Sequence, residues 1–560
     1  MVIVGVTYMA SANTGACIIV DGKLIAFAEE ERFIRVKHAP NYYPLHSINY
    51  CLDVAGLTID QVDYIAVGHS EVRTHSEIWK DPHFKNQGEI VDFEDGNHDY
   101  FYDVLNGWVI NDLNQYKLPK TYWGIDTIDK VKFYPHNDCH AASAVIPSKF
   151  GPTNYLSADG FGDNNAGVYG FFDGEEFHQY GYIHPFRTIG GFYSYVTEFL
   201  GFQQHSAEGK TMGLACYGNV DKNLLPEFSE VNEKGIKECL TKEYGKYFNS
   251  IRDTELHNEV RENILSETAV NMAATAQHYF EEYIFSYAEY LYNQTGNTNL
   301  AVAGGCMLNC TTNGKLLQKD YVDRLFVQPA SADSGTALGA AILCYKEMVG
   351  EWPDIDFNTA YWGSEFTDEE IRRTLNENGL EYRRVEPSSE IAKLINENKV
   401  IGYFNGRAEV GPRALCHRSI LANPTIAENL DRVNVIKNRE FWRPLAPVMM
   451  EEYFHKIVEA KHKSPFMLMA CEVKEDWRDK IPATTHVDNS CRPQSINRSQ
   501  NQVIHSALSK FKEMSGVPVF MNTSFNVAGE PLVDSPQDAI NTFLNCGLDA
   551  LILGNYCVIK

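Results

Sequence analysis

Residues 155–183 read YLSADGFGDNNAGVYGFFDGEEFHQYGYI. The apolar run Tyr155 to Ala158 breaks at Asp159-Gly160, and two further runs, Ala166 to Phe172 and Glu175 to Ile183, are separated by Asp173-Gly174. Asp-Gly between β-prone runs marks a two-residue hairpin, whose tight turn requires positive φ at its centre. A three-stranded meander is predicted. The chain opens in the same way, with Val2 to Val6, Ala16 to Val20, Asp21-Gly22 and Lys23 to Ala28, followed by a helical stretch. Either turn alone is commonplace; the repeated order of elements points to an internal duplication.

Two such meanders, each followed by helices, match the duplicated α/β fold shared by actin, sugar kinases and chaperone ATPases (ASKHA), where nucleotide lies between the halves. Residues 250–295 are polar and aromatic at helical spacing, reach the C-cap candidate Gly296 and lead into the strand Leu300 to Ala303. Between Trp352 and Glu365 periodicity fades among Pro, Asp and Gly, which reads as a linker. The expected units are therefore 1–355 and 366–560. The second is read as mixed α/β, with strands at Val400 to Phe404, Leu445 to Met449, Phe466 to Val473, Val517 to Met521 and Ala550 to Ile552.

A chain of 560 residues exceeds one ordinary core, and 44% hydrophobic with 22% charged residues is a globular composition. No apolar run approaches the roughly 18 residues of a membrane helix, and Met1 to Met9 reads as a strand rather than a signal peptide. A cytoplasmic protein with no membrane contact is expected. The 13 cysteines include no Cys-x-x-Cys pair, so reduced thiols are expected and no metal site built from sulfur. A net charge of −25 repels a polyanion at long range, so an anionic ligand needs a local basic pocket.

His136 and His140 lie four apart before Ala-Ala-Ser-Ala, one face of a helix and a metal-ligand spacing; simple packing of the pair is the alternative. Asp159 and Asp333 could complete a nitrogen and oxygen donor set for iron, manganese or zinc, or could serve as a turn residue and a helix cap. Gly304-Gly305 after a strand and Ser334-Gly335 before a helix sit where backbone can approach a nucleotide. Glu208-Gly209-Lys210 suits phosphate contact or a solvated charge pair. The densest signal is cationic: Arg407, Arg413, Arg418, Lys437, Arg439 and Arg443 gather in an acidic chain, a pattern that implies a phosphate-bearing substrate or a solvated basic face. Arg492 lies further on, and the polar row Asn522 to Asn526 is either an ordinary turn or part of an oxyanion or phosphate pocket. No P-loop, Gly-x-Ser-x-Gly elbow or His-Glu-x-x-His is present.

These segments together resemble the O-carbamoyltransferase family of nodulation-factor, tobramycin, novobiocin and cephamycin enzymes. The matching stretches are Ala28 to Phe33 with Lys37-His38, His136 to His140, Glu208 to Gly218, Gly304 to Asn309, Ser331 to Ala340, Gly406 to Leu421, Arg439 to Pro447 and Asn522 to Pro531. The resemblance implies an ASKHA-type domain joined to a YrdC-like domain. The YrdC-like domain would convert carbamoyl phosphate and ATP (with Mg) to carbamoyl adenylate, and the first domain would pass the carbamoyl group to an acceptor hydroxyl. It implies a divalent metal, Fe(II) first with Mn or Zn as alternatives, on His136, His140, Asp159 and Asp333. It assigns Glu208, Gly209, Lys210, Gly304, Gly305, Asn309, Ser334 and Gly335 to nucleotide in the first domain. Arg413, Arg418, Lys437, Arg443, Arg492, Asn522 and Ser524 would bind the carbamoyl phosphate or adenylate, with Lys37, Arg418, Lys437 and Arg492 catalytic. Homodimerisation is a further implication.

Two departures stand out. Relatives read His-Asp-Ala-Ser-Ala near the first hairpin, whereas this chain has Ala12-Asn13-Thr14-Gly15-Ala16; Lys37 or His38 could replace the missing base, the acceptor could need none, or transfer could be impaired. Relatives also carry glycine after Ala-Leu where this chain has Cys416-His417. The acceptor is left open among a sugar, a natural product and a hydroxymethylated nucleobase; nucleic acid gains no support from the net charge. The competing readings are a threonylcarbamoyl transferase-like enzyme acting on tRNA and a catalytically impaired nucleotide-binding regulator.

Overall fold

The computed structural model describes residues 1–7, 13–40, 42–69, 130–163 and 165–560. The first part contains β1 (Val2–Thr7), β2 (Gly15–Val20), β3 (Lys23–Glu29), β4 (Tyr64–Val67), β5 (Val131–Phe133), β6 (Thr153–Ser157), β7 (Gly167–Phe172), β8 (Phe177–Ile183), the small hairpin β9 (Ser229–Val231) and β10 (Lys237–Cys239), then β11 (Asn299–Ala303) and β12 (Arg324–Val327). One sheet runs β3-β2-β1-β4-β5 and the other β8-β7-β6-β11-β12. In both, the first three strands are an antiparallel meander and the last two pair in parallel. Even the register shift recurs, between Ile18 and Ile19 in one meander and Tyr169 and Gly170 in the other. The duplication read from the Asp-Gly turns is therefore present in the fold.

Each sheet ends in a central helix: His136–Ser148 after β5 and Ser334–Val349 after β12. Each packs against the other copy's strands, and the two helices pack on one another. Their close approach depends on Gly339, where a Cβ would fall 1.8 Å from the Cys139 carbonyl oxygen. The first turns of both helices are thereby brought to one place. The helical stretch read at 250–295 resolves into Thr241–Ile251, Glu255–Glu262 and the long Glu267–Thr295, which stops where Gly296 takes φ 66° and its N–H caps the Tyr292 carbonyl.

The C-terminal part is built on an eight-stranded mixed sheet, ordered Arg383–Arg384, Tyr556–Ile559, Ala550–Leu553, Ile401–Phe404, Arg418–Ala422, Val519–Ser524, Ala446–Met450 and Gln494–Ile496. Three short strands, Val458–Glu459, Cys471–Val473 and Ser490–Cys491, form a separate sheet. Two expectations need correction. The strand read at Phe466 to Val473 is only Cys471–Val473, because residues 466–470 lie on helix Cys310–Leu317: the Ala470 N–H donates to Cys310 O at 2.8 Å and Asn313 Nδ2 to Leu468 O at 2.9 Å. Arg418–Ala422, read as part of a ligand loop, is a fully buried central strand. Among the described residues no helix is long and apolar enough to cross a membrane.

Candidate functional site

His136 and His140 open their helix one turn apart, so both imidazoles leave the same face. Their Nε2 atoms stand 3.1 Å apart. Asp159, two residues beyond β6, puts Oδ2 3.4 Å from each Nε2. Asp333 precedes the second central helix and makes no side-chain cap to it; its Oδ1 lies 3.7 Å from His136 Nε2 and 3.9 Å from His140 Nε2. Of the uses open to the two aspartates, convergence on the histidines is the one adopted. The four ligand atoms lie within 4.8 Å of one another.

Surrounding groups fix these orientations. His136 Nδ1 meets the Gly68 carbonyl at 3.1 Å, leaving Nε2 for the cluster, and the His136 N–H donates to Asp163 at 2.7 Å. The Gly305 N–H donates to Asp159 Oδ1 at 3.1 Å. His140 Nδ1 is buried without a partner. Burial works against charge on His136, but the Asp159 hydrogen bond and the charges of Asp333, Asp159 and Asp163 outweigh it and raise the group to about 9. Burial and the neighbouring His136 lower His140. Burial also opposes ionisation of Asp159, yet its two histidine hydrogen bonds hold it well below the usual carboxylate range. Two imidazoles and two carboxylates form a donor set that fits a borderline divalent ion.

The second constellation is cationic. Burial lowers the ionisation of Arg413, Arg439 and Arg443, and repulsion among these guanidinium groups and from Arg492 adds to it. Burial, then Arg492 and Arg443, brings Arg413 down to about 9; burial, then Arg443 and Arg492, does the same to Arg439. Nε of both Arg413 and Arg492 is buried and unpartnered. Glu440 sits among them, 2.6 Å from Lys210 Nζ and 3.8 Å from Arg443. Guanidinium groups crowded around one carboxylate leave positive charge that an anionic group could offset.

One short turn, Gly305–Leu308, separates the two constellations: the Gly305 N–H holds Asp159 and the Leu308 carbonyl accepts from Arg413 Nη2 at 3.2 Å. Residues 2–342 match the sequence-family model of the carbamoyltransferase N-terminus, and residues 392–560 that of the carbamoyltransferase C-terminus. The chain belongs to the carbamoyltransferase family. It is a transferase by that membership. The nodulation protein NolNO of Sinorhizobium fredii (strain NBRC 101917 / NGR234) is 34% identical over 98% of this chain and 79% of its own length. The 3'-hydroxymethylcephem-O-carbamoyltransferase of Streptomyces clavuligerus is 32% identical over 59% of this chain and 61% of that enzyme. Among solved structures, full-length HypF in its phosphate- and nucleotide-bound form aligns with 62% of this chain and 55% of that chain at 10% identity and a TM-score of 0.37.

Several residues of this carbamoyltransferase stand elsewhere than their motifs imply. Arg418 is fully buried: its guanidinium donates to the carbonyls of Asp534, Asn405, Gly406, His417 and Ser364 at 3.0–3.3 Å and stacks 3.6 Å over Phe404. These bonds tie the central sheet together. The Lys437 ammonium is 4% exposed and donates to Ser524 O, to Ser524 Oγ at 3.2 Å and to Asn526 O and Oδ1 at 2.9 Å. Ser524 and Lys437 therefore shape a turn. Asn522 Nδ2 bonds Ala414 O at 3.1 Å and Gln494 Oε1 at 3.0 Å, bracing neighbouring strands. Arg439, left out of the expected ligand set, joins Arg413, Arg443 and Arg492.

The expected nucleotide residues divide similarly. Gly304 takes φ 95° with the Ala158 backbone against it, so a side chain there is barred on both counts. Asn309 caps helix Cys310–Leu317 through Thr312 N, Ser334 Oγ donates to Glu29 at 3.1 Å, and Gly335 packs on the Ala330 carbonyl. Glu208 accepts from Ser194 and from His205 N, Gly209 has open space about it, and Lys210 is turned to Glu440. Lys37 lies on the exposed rim; burial lowers its ammonium, as do Arg443, Lys210 and Arg32 against Glu31. Ala12 lies outside the described residues. Its neighbour Asn13 holds His38 Nδ1 at 2.9 Å, while His38 Nε2 is buried without a partner. Cys416, in the glycine position of relatives, has φ 73°, the backbone conformation that glycine favours.

Proposed function

We propose that this carbamoyltransferase family member is an ATP-dependent O-carbamoyltransferase with two coupled sites, and that the four-arginine cluster is where the donor is made. The observation that carries this reading is the adjacency of an undercompensated guanidinium cluster and a His-His-Asp-Asp cluster across a single turn. Water would cleave carbamoyl phosphate to carbamate and inorganic phosphate in the C-terminal part. The carbamate oxygen would then attack the α-phosphorus of ATP, giving carbamoyl adenylate and pyrophosphate. Arg413, Arg439, Arg443 and Arg492 would bind the phosphate oxygens and stabilise charge building on them. A YrdC-like role for a unit spanning 366–560, and transfer in a unit spanning 1–355, belong to the same proposal.

At the second site an acceptor hydroxyl would attack the carbamoyl carbon and AMP would leave. His136, His140, Asp159 and Asp333 would hold a divalent ion, Fe(II) in the first instance, and that ion when bound would supply Lewis acidity to the transferring group. His38 is the replacement we favour for the family base. Its Nδ1–H donates to Asn13, leaving the Nε2 lone pair, and burial keeps the ring neutral. The proposed acceptor class is an alcohol of a sugar, natural product or hydroxymethylated base.

The test is ATP–pyrophosphate exchange by purified protein, with and without carbamoyl phosphate and without acceptor. Carbamoyl phosphate-dependent exchange supports the donor reaction. Exchange that needs bicarbonate and threonine instead favours the tRNA-modification reading, and no exchange favours the regulator.

A further inference from the structure

A second group of metal-ligating side chains meets between the two parts of the chain. Cys216 follows helix Glu208–Ala215, and His486 and Asp488 lie on the turn before strand Ser490–Cys491. One ligand atom from each falls within 4.8 Å of the others. His486 Nδ1 is 3.6 Å from Asp488 Oδ1, close to the roughly 3.3 Å between nitrogen and oxygen ligands on a tetrahedral ion with bonds of about 2.0–2.1 Å. The three residues come from positions 216, 486 and 488, so no local spacing could announce them, and a site here runs against the expectation that no metal site is built from sulfur.

The turn is built to aim its side chains. His486 N–H donates to Ser490 O at 2.7 Å, and Asn489 closes the turn at φ 63°. Asp488 Oδ1 accepts from Ser490 N at 3.0 Å and Ser490 Oγ at 2.6 Å, the supporting hydrogen bonds a carboxylate ligand usually has. The His486 side chain is 7% exposed, with Nδ1 toward Asp488; Nε2 is buried with no partner and takes no part in the site. Asp488, 37% exposed, gives the site an entrance.

We infer that Cys216, His486 and Asp488 form a thiolate–imidazole–carboxylate site for a zinc-class divalent cation, with a fourth position open to water. Binding would replace the Cys216 thiol proton, released to solvent, with a metal–sulfur bond. The donor set is borderline to soft, and its single carboxylate is too few oxygen ligands for calcium or magnesium. The ion would join a helix of the N-terminal part to a turn of the C-terminal part. The same seam is held by Lys210 with Glu440 at 2.6 Å and by Tyr217 Oη donating to Trp442 O at 3.1 Å. Arg492 follows Cys491 directly, so the staple would also hold one member of the arginine cluster in place. This inference does not depend on the donor chemistry proposed above.

Metal-free full-length protein titrated with Co(II) provides the test, because thiolate–cobalt charge transfer absorbs in the near ultraviolet and the His136 cluster contains no sulfur. The expected result is one equivalent of charge-transfer absorption in wild type and in His136→Ala, lost in Cys216→Ser and in His486→Gln. Both of these variants should keep wild-type circular dichroism and still bind cobalt at the nitrogen and oxygen cluster. A charge-transfer band that survives Cys216→Ser, or folded wild type that shows none, overturns the assignment.

Discussion

Replacing Arg413 with methionine should stabilise the ligand-free protein while weakening its hold on phosphate. Burial and the neighbouring Arg492 and Arg443 bring the Arg413 guanidinium from 12.5 to about 9. At about 1.4 kcal/mol per unit, keeping it charged costs at most about 5 kcal/mol. The side chain is partly exposed, and halving that ceiling for solvent screening leaves about 2–3 kcal/mol. Loss of the hydrogen bond to Leu308 O takes back about 1 kcal/mol. A net gain of about 1–2 kcal/mol is expected from urea unfolding without ligand. Pyrophosphate at a hundred times its dissociation constant should stabilise wild type by about 2.7 kcal/mol. The same concentration should stabilise the variant far less, reversing their order. A variant that is less stable than wild type without anion, yet gains as much from pyrophosphate, would refute the reasoning.

Arg418→Met should leave little folded protein, a loss above about 3 kcal/mol, because five carbonyls lose a buried partner; folded, stable Arg418→Met defective only in donor binding would contradict its structural role. On the proposed metal site, Asp333→Asn and His140→Ala should each weaken Fe(II) binding at least tenfold in titrations of the metal-free protein while ATP–pyrophosphate exchange persists. Cys416→Gly should be more stable than Cys416→Ala by about 1 kcal/mol in urea, since both remove the thiol and only glycine accepts φ 73° without strain. Burial lowers His417 from 6.5 to about 4, against Glu409 and a hydrogen bond to Arg407 O. Its folded value lies below its unfolded one, so its contribution is complete above pH 6.5 and fades as pH falls toward 4. Wild type should therefore lose on the order of 2–3 kcal/mol relative to His417→Gln across that window, measured by urea unfolding at each pH.

The meanders were legible because their signal is local: two Asp-Gly turns, each between alternating runs, specify strand pairing within thirty residues. The His136–His140 pair was legible for the same reason. Whether Asp159 and Asp333 join them depends on two helices crossing at Gly339, a contact between residues two hundred positions apart that no window reads. The cationic cluster was legible as a run of Arg and Lys in an acidic chain; that Arg418 lies on the buried strand Arg-Ser-Ile-Leu-Ala with its guanidinium bonded to five carbonyls was not. Phe466 to Val473 looked like a strand by composition, yet half of it finds its partner on helix Cys310–Leu317. The departure at Cys416 acquired a cause only when its φ was known.

The most direct test of the two-site account is mass spectrometry of the reaction of ATP and carbamoyl phosphate without acceptor, using wild type, Arg492→Met and a His136→Ala, His140→Ala double variant. The account expects carbamoyl adenylate with equimolar phosphate and pyrophosphate from wild type and from the double-histidine variant, and at least a tenfold loss in Arg492→Met. Adenylate formed equally well by Arg492→Met, or formed by none of the three, would contradict it.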